Sequence, residues 1–323
     1  MENTTFPFYF NLTLFGNIGH YRFLAFSFCL LLYCFIISAN LLMIFVIFRQ
    51  RTLHEPMYMF IALLCMNSLY GSSGFFPRFL MDLLSDTHLI THTACFTQLY
   101  VIYTYACCEI TILSIMAYDR YVAVCHPLHY HRKMTRKTVY GLAIFAWVYP
   151  TCNLTITVYM VVRLPLCGNN IERVYCATWN IVKLSCVTTS ANNIASTLRV
   201  MSVPFVPLLG FILFSYMRIV WACWKKSSAV RGKVVQSCLP HIISFVTYCI
   251  TASIDSALSR QDIKDTNSFL AVILSLEFVV VPPVMNPLVY GLKLPEIKRH
   301  VLRILHLKPK AKIRTFPEPT NDL

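Results

Sequence analysis

The run LAFSFCLLLYCFIISANLLMIFVIF, residues 24–48, carries no charged side chain from end to end. As a helix rising 1.5 Å per residue it reaches about 37 Å, enough to cross the roughly 30 Å hydrocarbon core of a bilayer. Working outward from it, six more apolar runs are bounded by charges and turn residues: 57–84, 95–116 with Asp119 and Arg120 at its end, 139–162, 196–224, 234–258 and 267–292. The pattern predicts an all-α membrane protein, a bundle of seven transmembrane helices.

Composition agrees. Of 323 residues 57% are hydrophobic and 13% charged, against the roughly 25% charged of a soluble domain. A water-soluble globule, a disordered chain, a collagen and a small disulfide scaffold are all excluded. Seven spans of about 25 residues use roughly 175 positions, which leaves no room for a soluble catalytic domain. No phosphate loop, nucleophile elbow or paired zinc motif is present, so neither an enzyme nor a cofactor is expected. His126, His129 and His131 bracket Pro127 in a basic loop without Cys or acid at ligand spacing, which argues against a metal centre. A transporter would need internal repeats and several midplane charges; no repeat is seen.

The formal charge is +14, from 28 Lys and Arg against 14 Asp and Glu. In a membrane protein that excess is read as topology, not nucleic-acid binding. Placing the N-terminus outside assigns 20 of the 28 basic residues to inner segments, so an outside N-terminus (1–23), a bundle (24–292) and a cytosolic segment (293–323) are expected. The sequons at Asn3 and Asn11 would then be open to glycosylation, whereas that at Asn153 falls inside a span. No cleavable leader precedes the first span, which would itself serve as the targeting signal. From Pro295, residues Ile297, Val301, Leu302 and Leu305 share one side of an amphipathic helix lying on the inner leaflet, and the tail from Lys308 reads as disordered.

Four of the 14 cysteines, Cys95, Cys167, Cys176 and Cys186, fall in outer positions and suggest two disulfides with three pairings open. The segment 163–193 is long and rich in cysteine, as a folded lid would be. Among charged residues near the spans, Glu109 lies about 16 Å along the helix from Arg120, near the membrane centre. It meets a cation, carries a proton, or bonds a neighbouring helix. Glu277 and Arg260 lie nearer the outer surface, Arg260 either facing the bundle mouth or solvated. Pro240, Pro282, Pro283 and Pro287 free backbone carbonyls and permit kinks in a bundle that changes shape.

At this point the residues resemble a known family. The stretch MAYDRYVAVCHPLHY (116–130) resembles the end of helix three in odorant receptors of the rhodopsin-like G-protein-coupled class. LHEPMY (53–58), Ser215-Tyr216, PPVMNPLVY (282–290) and the long cysteine-rich second outer loop are similar to the same family. NSLYG (67–71) is similar to its fish-type branch. The resemblance covers all seven spans and implies disulfides Cys95–Cys176 and Cys167–Cys186, and a cytosolic helix 8. It also implies that Asp119, Arg120, Tyr121, Tyr216, Asn286, Pro287 and Tyr290 serve G-protein coupling and activation. Asp119 paired with Arg120 would favour the resting state. Outward movement of helix six would admit a stimulatory, olfactory-type G protein that raises cyclic AMP. Plasma-membrane localisation and lipid contact through the basic inner loops follow.

The implied odorant site lies between helices three, five and six. Helical spacing assigns Ile102, Tyr103, Ala106 and Cys107 to one wall and Val200, Met201 and Pro204 to another. Arg260 would anchor an anionic or zwitterionic, water-soluble odorant, and Glu277 would meet an amine. Two departures stand out: Ser68 occupies a helix-two position where many members carry Asp, which puts a sodium contact at Glu109 in doubt, and the aromatic pair of helix six is altered at Tyr248 and Cys249. The rival reading is a rhodopsin-like receptor for a non-odorant small ligand.

Overall fold

The computed structural model describes residues 9–14, 21–186, 205–224, 226–260 and 268–304, with the side chains at 260, 268 and 269 outside that description. Ten α-helices are described: α1 (Arg22–Arg49), α2 (Pro56–Leu84), α3 (His92–Cys125), α4 (Tyr130–Lys133), α5 (Arg136–Val162), α6 (Thr178–Lys183), α7 (Val206–Trp224), α8 (Ser228–Arg260), α9 (Ser268–Lys293) and α10 (Pro295–Ile304). Among the described residues seven are long and apolar enough to cross a bilayer: α1, α2, α3, α5, α7, α8 and α9. The first ten positions of the expected span 196–224, up to Pro204 and the residue after it, precede α7; 196–204 lie outside the described residues.

Local chemistry sets the helix ends. Pro56 opens α2, where its missing N–H costs nothing. Thr91 caps α3 by accepting from the Ala94 N–H at 3.3 Å, and Thr135 caps α5 by accepting from Thr138 N–H at 3.3 Å. The third span was expected to end at Asp119-Arg120, but α3 runs on to Cys125. Charge does not break a helix; proline does. His126, forced out of the helical region by the following Pro127, takes φ −132° and ψ 54° and ends the helix there.

α3 is the axis of the bundle, with 78% of its most apolar window buried, against 22% for α5 and α7. The outer helices turn Phe28, Leu31, Ile144, Val148, Met217 and Trp221 outward, a face suited to lipid and not to water. α2 and α3 touch closely at Gly71 and Gly74: a Cβ there would lie 2.5 Å from the Tyr105 ring and 2.2 Å from Val101. Only glycine allows that approach.

Among the described residues three strands form one small sheet. β1 (Tyr9–Leu12) lies between β2 (Leu89–Thr91), with which it is antiparallel, and β3 (Asn170–Ile171), with which it is parallel. The alternation of Phe10 and Leu12, both fully buried, with Tyr9 and Asn11 is the period of a half-buried strand. At the opposite end, α10 buries Ile297 and pairs Glu296 with Arg299 at 2.7 Å on its open side.

Candidate functional site

Between α3, α7, α8 and α9 lies a cavity of about 720 Å³. Tyr103, Ala106, Cys107 and Ile110 line it from α3, Phe205, Val206 and Leu209 from the α7 side, Tyr248, Cys249 and Asp255 from α8, and Phe278 from α9. Positions 103, 106, 107 and 110 are one helical face. Ile102 is one step round the helix and is buried instead in the core with Phe75, Phe79 and Leu99. Val200, Met201 and Pro204 lie outside the described residues. Arg260 ends α8, but its side chain is outside the description; Glu277 is half-buried on α9 and is not among the lining residues.

Next to this cavity lies a lid segment, residues 163–186, whose Thr178 meets the lining residue Tyr103. Disulfide Cys95–Cys176 ties it to the start of α3, and Cys167–Cys186 closes it on itself. Gln98 Oε1 accepts the Cys176 N–H at 3.1 Å, and the Tyr103 hydroxyl accepts the Thr178 N–H at 3.3 Å. Between the bonded cysteines, Arg173 is wholly buried. Its Nη1 donates to Ser275 Oγ at 3.0 Å, and its Nη2 to Asp255 Oδ1 and Ser259 Oγ at 2.6 Å each. The Tyr175 hydroxyl donates to the same Oδ1 of Asp255. Burial first and the Asp255 carboxylate second hold the Tyr175 phenol well above its ordinary pKa, so it remains a donor. A single lid arginine therefore stitches α8 to α9, and a buried charge is tolerated because it is paired.

Midway along the bundle sits a second polar group. Glu109, 1% exposed, accepts from Asn67 Nδ2 and Asn286 Nδ2, each at 2.8 Å. Asn286 also reaches Ser68 Oγ at 3.4 Å, and Asn40 donates to the Pro283 carbonyl at 3.0 Å, a carbonyl beside the Pro287 gap in α9. Of the open readings of Glu109, the geometry is that of a carboxyl bonded to neighbouring helices. Among the described residues no group of three His, Cys, Asp or Glu could hold a metal.

At the far end, Arg120 pairs with Asp119 through Nε at 2.8 Å and through Nη2, and its Nη1 donates to Ser237 Oγ on α8 at 3.0 Å. Tyr130 donates to the other oxygen of Asp119 at 2.8 Å. Tyr216 bonds neither Arg120 nor Tyr290. Its hydroxyl meets His241 Nδ1 at 2.6 Å, while His241 Nε2 meets the Leu113 carbonyl at 2.8 Å. A carbonyl can only accept, so Nε2 carries the proton and Nδ1 accepts from Tyr216. Tyr121 meets His126 Nε2 at 3.2 Å, and Tyr290 is buried on α9. Pro287 is buried within α9. Asn11 sits half-buried in β1 with Nδ2 donating to Asn170 Oδ1 at 3.4 Å, and Asn3 lies outside the described residues.

Sequence reasoning missed Arg173, Tyr175, Asp255 and His241. Asp255 carried a usable signal, an acid in an apolar run. Arg173 looked like any loop arginine, because nothing in its neighbours records a partner 82 residues away.

Seven spans around a central α3, a cysteine-tied lid and an Asp-Arg pair at the opposite end define a rhodopsin-like receptor fold. The crystal structure of squid rhodopsin superposes with a TM-score of 0.70 over 87% of this chain and 84% of that one, at 15% identity. The family model described as olfactory receptor matches residues 28–308. Human olfactory receptor 10T2 is 32% identical over 314 residues, covering 97% of this chain and 98% of the relative. Human olfactory receptor 6N1 is 32% identical over 85% and 88%, and rat olfactory receptor 226 is 31% identical over 91% and 90%. The chain belongs to the olfactory receptor family. It is a multi-pass plasma-membrane receptor of the G-protein-coupled class and not an enzyme, with a small-molecule ligand and a G protein as its partners.

Proposed function

We propose that this receptor binds a small, water-soluble odorant in the cavity between α3, α7, α8 and α9 and activates a stimulatory, olfactory-type G protein that raises cyclic AMP. The observation that carries this reading is the cavity itself: about 720 Å³, mainly apolar, with its lining residue Tyr103 bonded to the segment that a disulfide ties to α3. At the other end, Asp119, Arg120, Tyr121, Tyr216, Asn286, Pro287 and Tyr290 are the coupling machinery. Arg120 is held by Asp119 and Ser237, the arrangement of a resting state in which α8 closes over α3. A cleft of about 200 Å³ between α7 and α8, lined by Tyr216, Cys223, Arg231 and Cys238, is where outward movement of α8 would admit the G protein.

The end with the disulfides faces outward, because an oxidising compartment sustains them and the basic residues then fall inside. Asn3 and Asn11 are glycan acceptors on that side, and α10 with its basic residues lies on inner-leaflet lipid. The side chain of Arg260, at the end of α8, lies outside the described residues; among the described lining residues the charged group is an acid, Asp255.

Expression in cells lacking other odorant receptors, with a cyclic AMP readout against alcohols, acids, amines and amino acids, tests the reading. A ligand-dependent rise that Arg120→Ala abolishes at unchanged surface expression supports it. A rise in calcium alone, without cyclic AMP, refutes the stimulatory G protein.

A further inference from the structure

Asp255 is the one formally charged side chain among the described residues lining the cavity, and it is already half used. Its Oδ1 takes both Arg173 Nη2 and the Tyr175 hydroxyl, while Oδ2 takes no hydrogen bond from a described residue. The Asp255 side chain keeps 12% exposure whereas Arg173 has none, so the carboxylate and not the guanidinium is what a molecule in the cavity meets. Of the other polar lining groups, Ser253 and Ser256 are exposed and uncharged, and the two tyrosines are already bonded. Tyr248 donates to the Ala106 carbonyl at 3.1 Å, and Tyr103 holds the lid through Thr178.

Charge decides what Oδ2 accepts. Arg173 and Asp255 together are neutral. An ammonium brought to Oδ2 would be buried beside the guanidinium with its charge uncompensated, and a ligand carboxylate would face a carboxylate. A neutral O–H or N–H donor buries no net charge and gains a hydrogen bond to an ionised acceptor, the stronger kind. Tyr103, Tyr248, Phe205 and Phe278 supply the apolar wall for the rest of such a molecule.

We infer that Asp255 determines specificity in this cavity, selecting a small neutral molecule that carries a hydroxyl or N–H donor, and that Arg173 behind it sets the charge class. This rests on the cavity being the odorant site and narrows its ligand. One consequence is particular to the pair. Removing only Asp255 leaves a buried cation facing the cavity, and the preference turns from alcohols to carboxylates.

The test is thermal unfolding of the purified receptor in lipid nanodiscs, titrated with heptan-1-ol, heptyl methyl ether, heptanoate and heptylamine. Heptan-1-ol should bind about tenfold or more tightly than the ether, which accepts but cannot donate, with heptanoate and heptylamine weaker than the alcohol. Asp255→Ala should erase the advantage over the ether and make heptanoate the tightest of the four. If Asp255→Ala does not fold, the doubly neutral Arg173→Met/Asp255→Ala chain carries the test: it should lose the alcohol preference and gain nothing for heptanoate. Equal binding of alcohol and ether, heptylamine or heptanoate tightest on the unaltered receptor, an alcohol preference that survives in either variant, or no probe binding overturns the inference. Binding as expected without a cyclic AMP rise in cells would instead refute the signalling reading and leave the assignment of Asp255 standing.

Discussion

The two ends of the bundle are held together by different chemistry. At the lid end, two disulfides, a strand inserted between two others and a buried arginine bonded to α8 and α9 join segments far apart in sequence. At the Arg120 end nothing covalent crosses between helices. α3 meets α8 there through the hydrogen bond of Arg120 to Ser237 and that of His241 to the Leu113 carbonyl, and α7 meets α8 through Tyr216 and His241. The first end resists displacement and keeps the shape of the cavity. The second is closed by a few hydrogen bonds, each worth about 1 kcal/mol net, so on the proposed reading a modest differential binding energy at the cavity would shift it.

Substitutions can break that contrast. The largest loss should follow Cys95→Ser with Cys176→Ser: releasing a link across 81 residues costs about 4–5 kcal/mol, and the 19-residue link Cys167–Cys186 about 3 kcal/mol. Surface expression and the Tm of purified receptor measure both; an unchanged Tm would place the rigidity of the lid end elsewhere. Next, Arg173→Met strands the Asp255 carboxylate and should cost about 3 kcal/mol, most of it recovered in Arg173→Met/Asp255→Ala. Equal Tm values for the single and double variants would show that the pair does not secure the lid.

At the Arg120 end the effects should appear in signalling more than in stability. Asp119→Asn weakens the hold on Arg120 by about 1 kcal/mol and should raise basal cyclic AMP roughly fivefold at matched surface expression. Tyr216→Phe removes one neutral hydrogen bond to His241, about 0.5 kcal/mol, and should give roughly a twofold rise. Thr91→Ala, at the lid end, removes a helix cap worth about 1 kcal/mol or less and should lower Tm slightly with no change in basal signal. Equal basal rises for Thr91→Ala and Tyr216→Phe would erase the distinction between the ends.

Much of the fold was legible along the chain. Spans 24–48, 57–84 and 139–162 coincide with α1, α2 and α5 to within three residues at each end, because lipid demands long uncharged runs and such runs are visible locally. The end of α3 is not legible in charge: Asp119 and Arg120 lie within the helix, and the stop is Pro127 acting on His126. The strand β1 was missed because four residues leave too short an alternation to stand out, and its partners lie 78 and 159 positions away. Of the helix-three positions that helical spacing puts on one wall, Tyr103, Ala106 and Cys107 line the cavity, while Ile102 lies one step round the helix among core residues.

The sequence by itself determined that this chain is a seven-span membrane protein of the olfactory receptor family, since span length, charge distribution and contiguous motifs are properties of neighbouring residues. Only the tertiary structure decided what the cavity presents. Whether Asp255 faces a ligand as a free anion or as half of a neutral pair depends on Arg173, which a folded lid brings to it from 82 positions earlier in the chain. Coulomb interaction depends on distance in space, and separation along the chain does not record it.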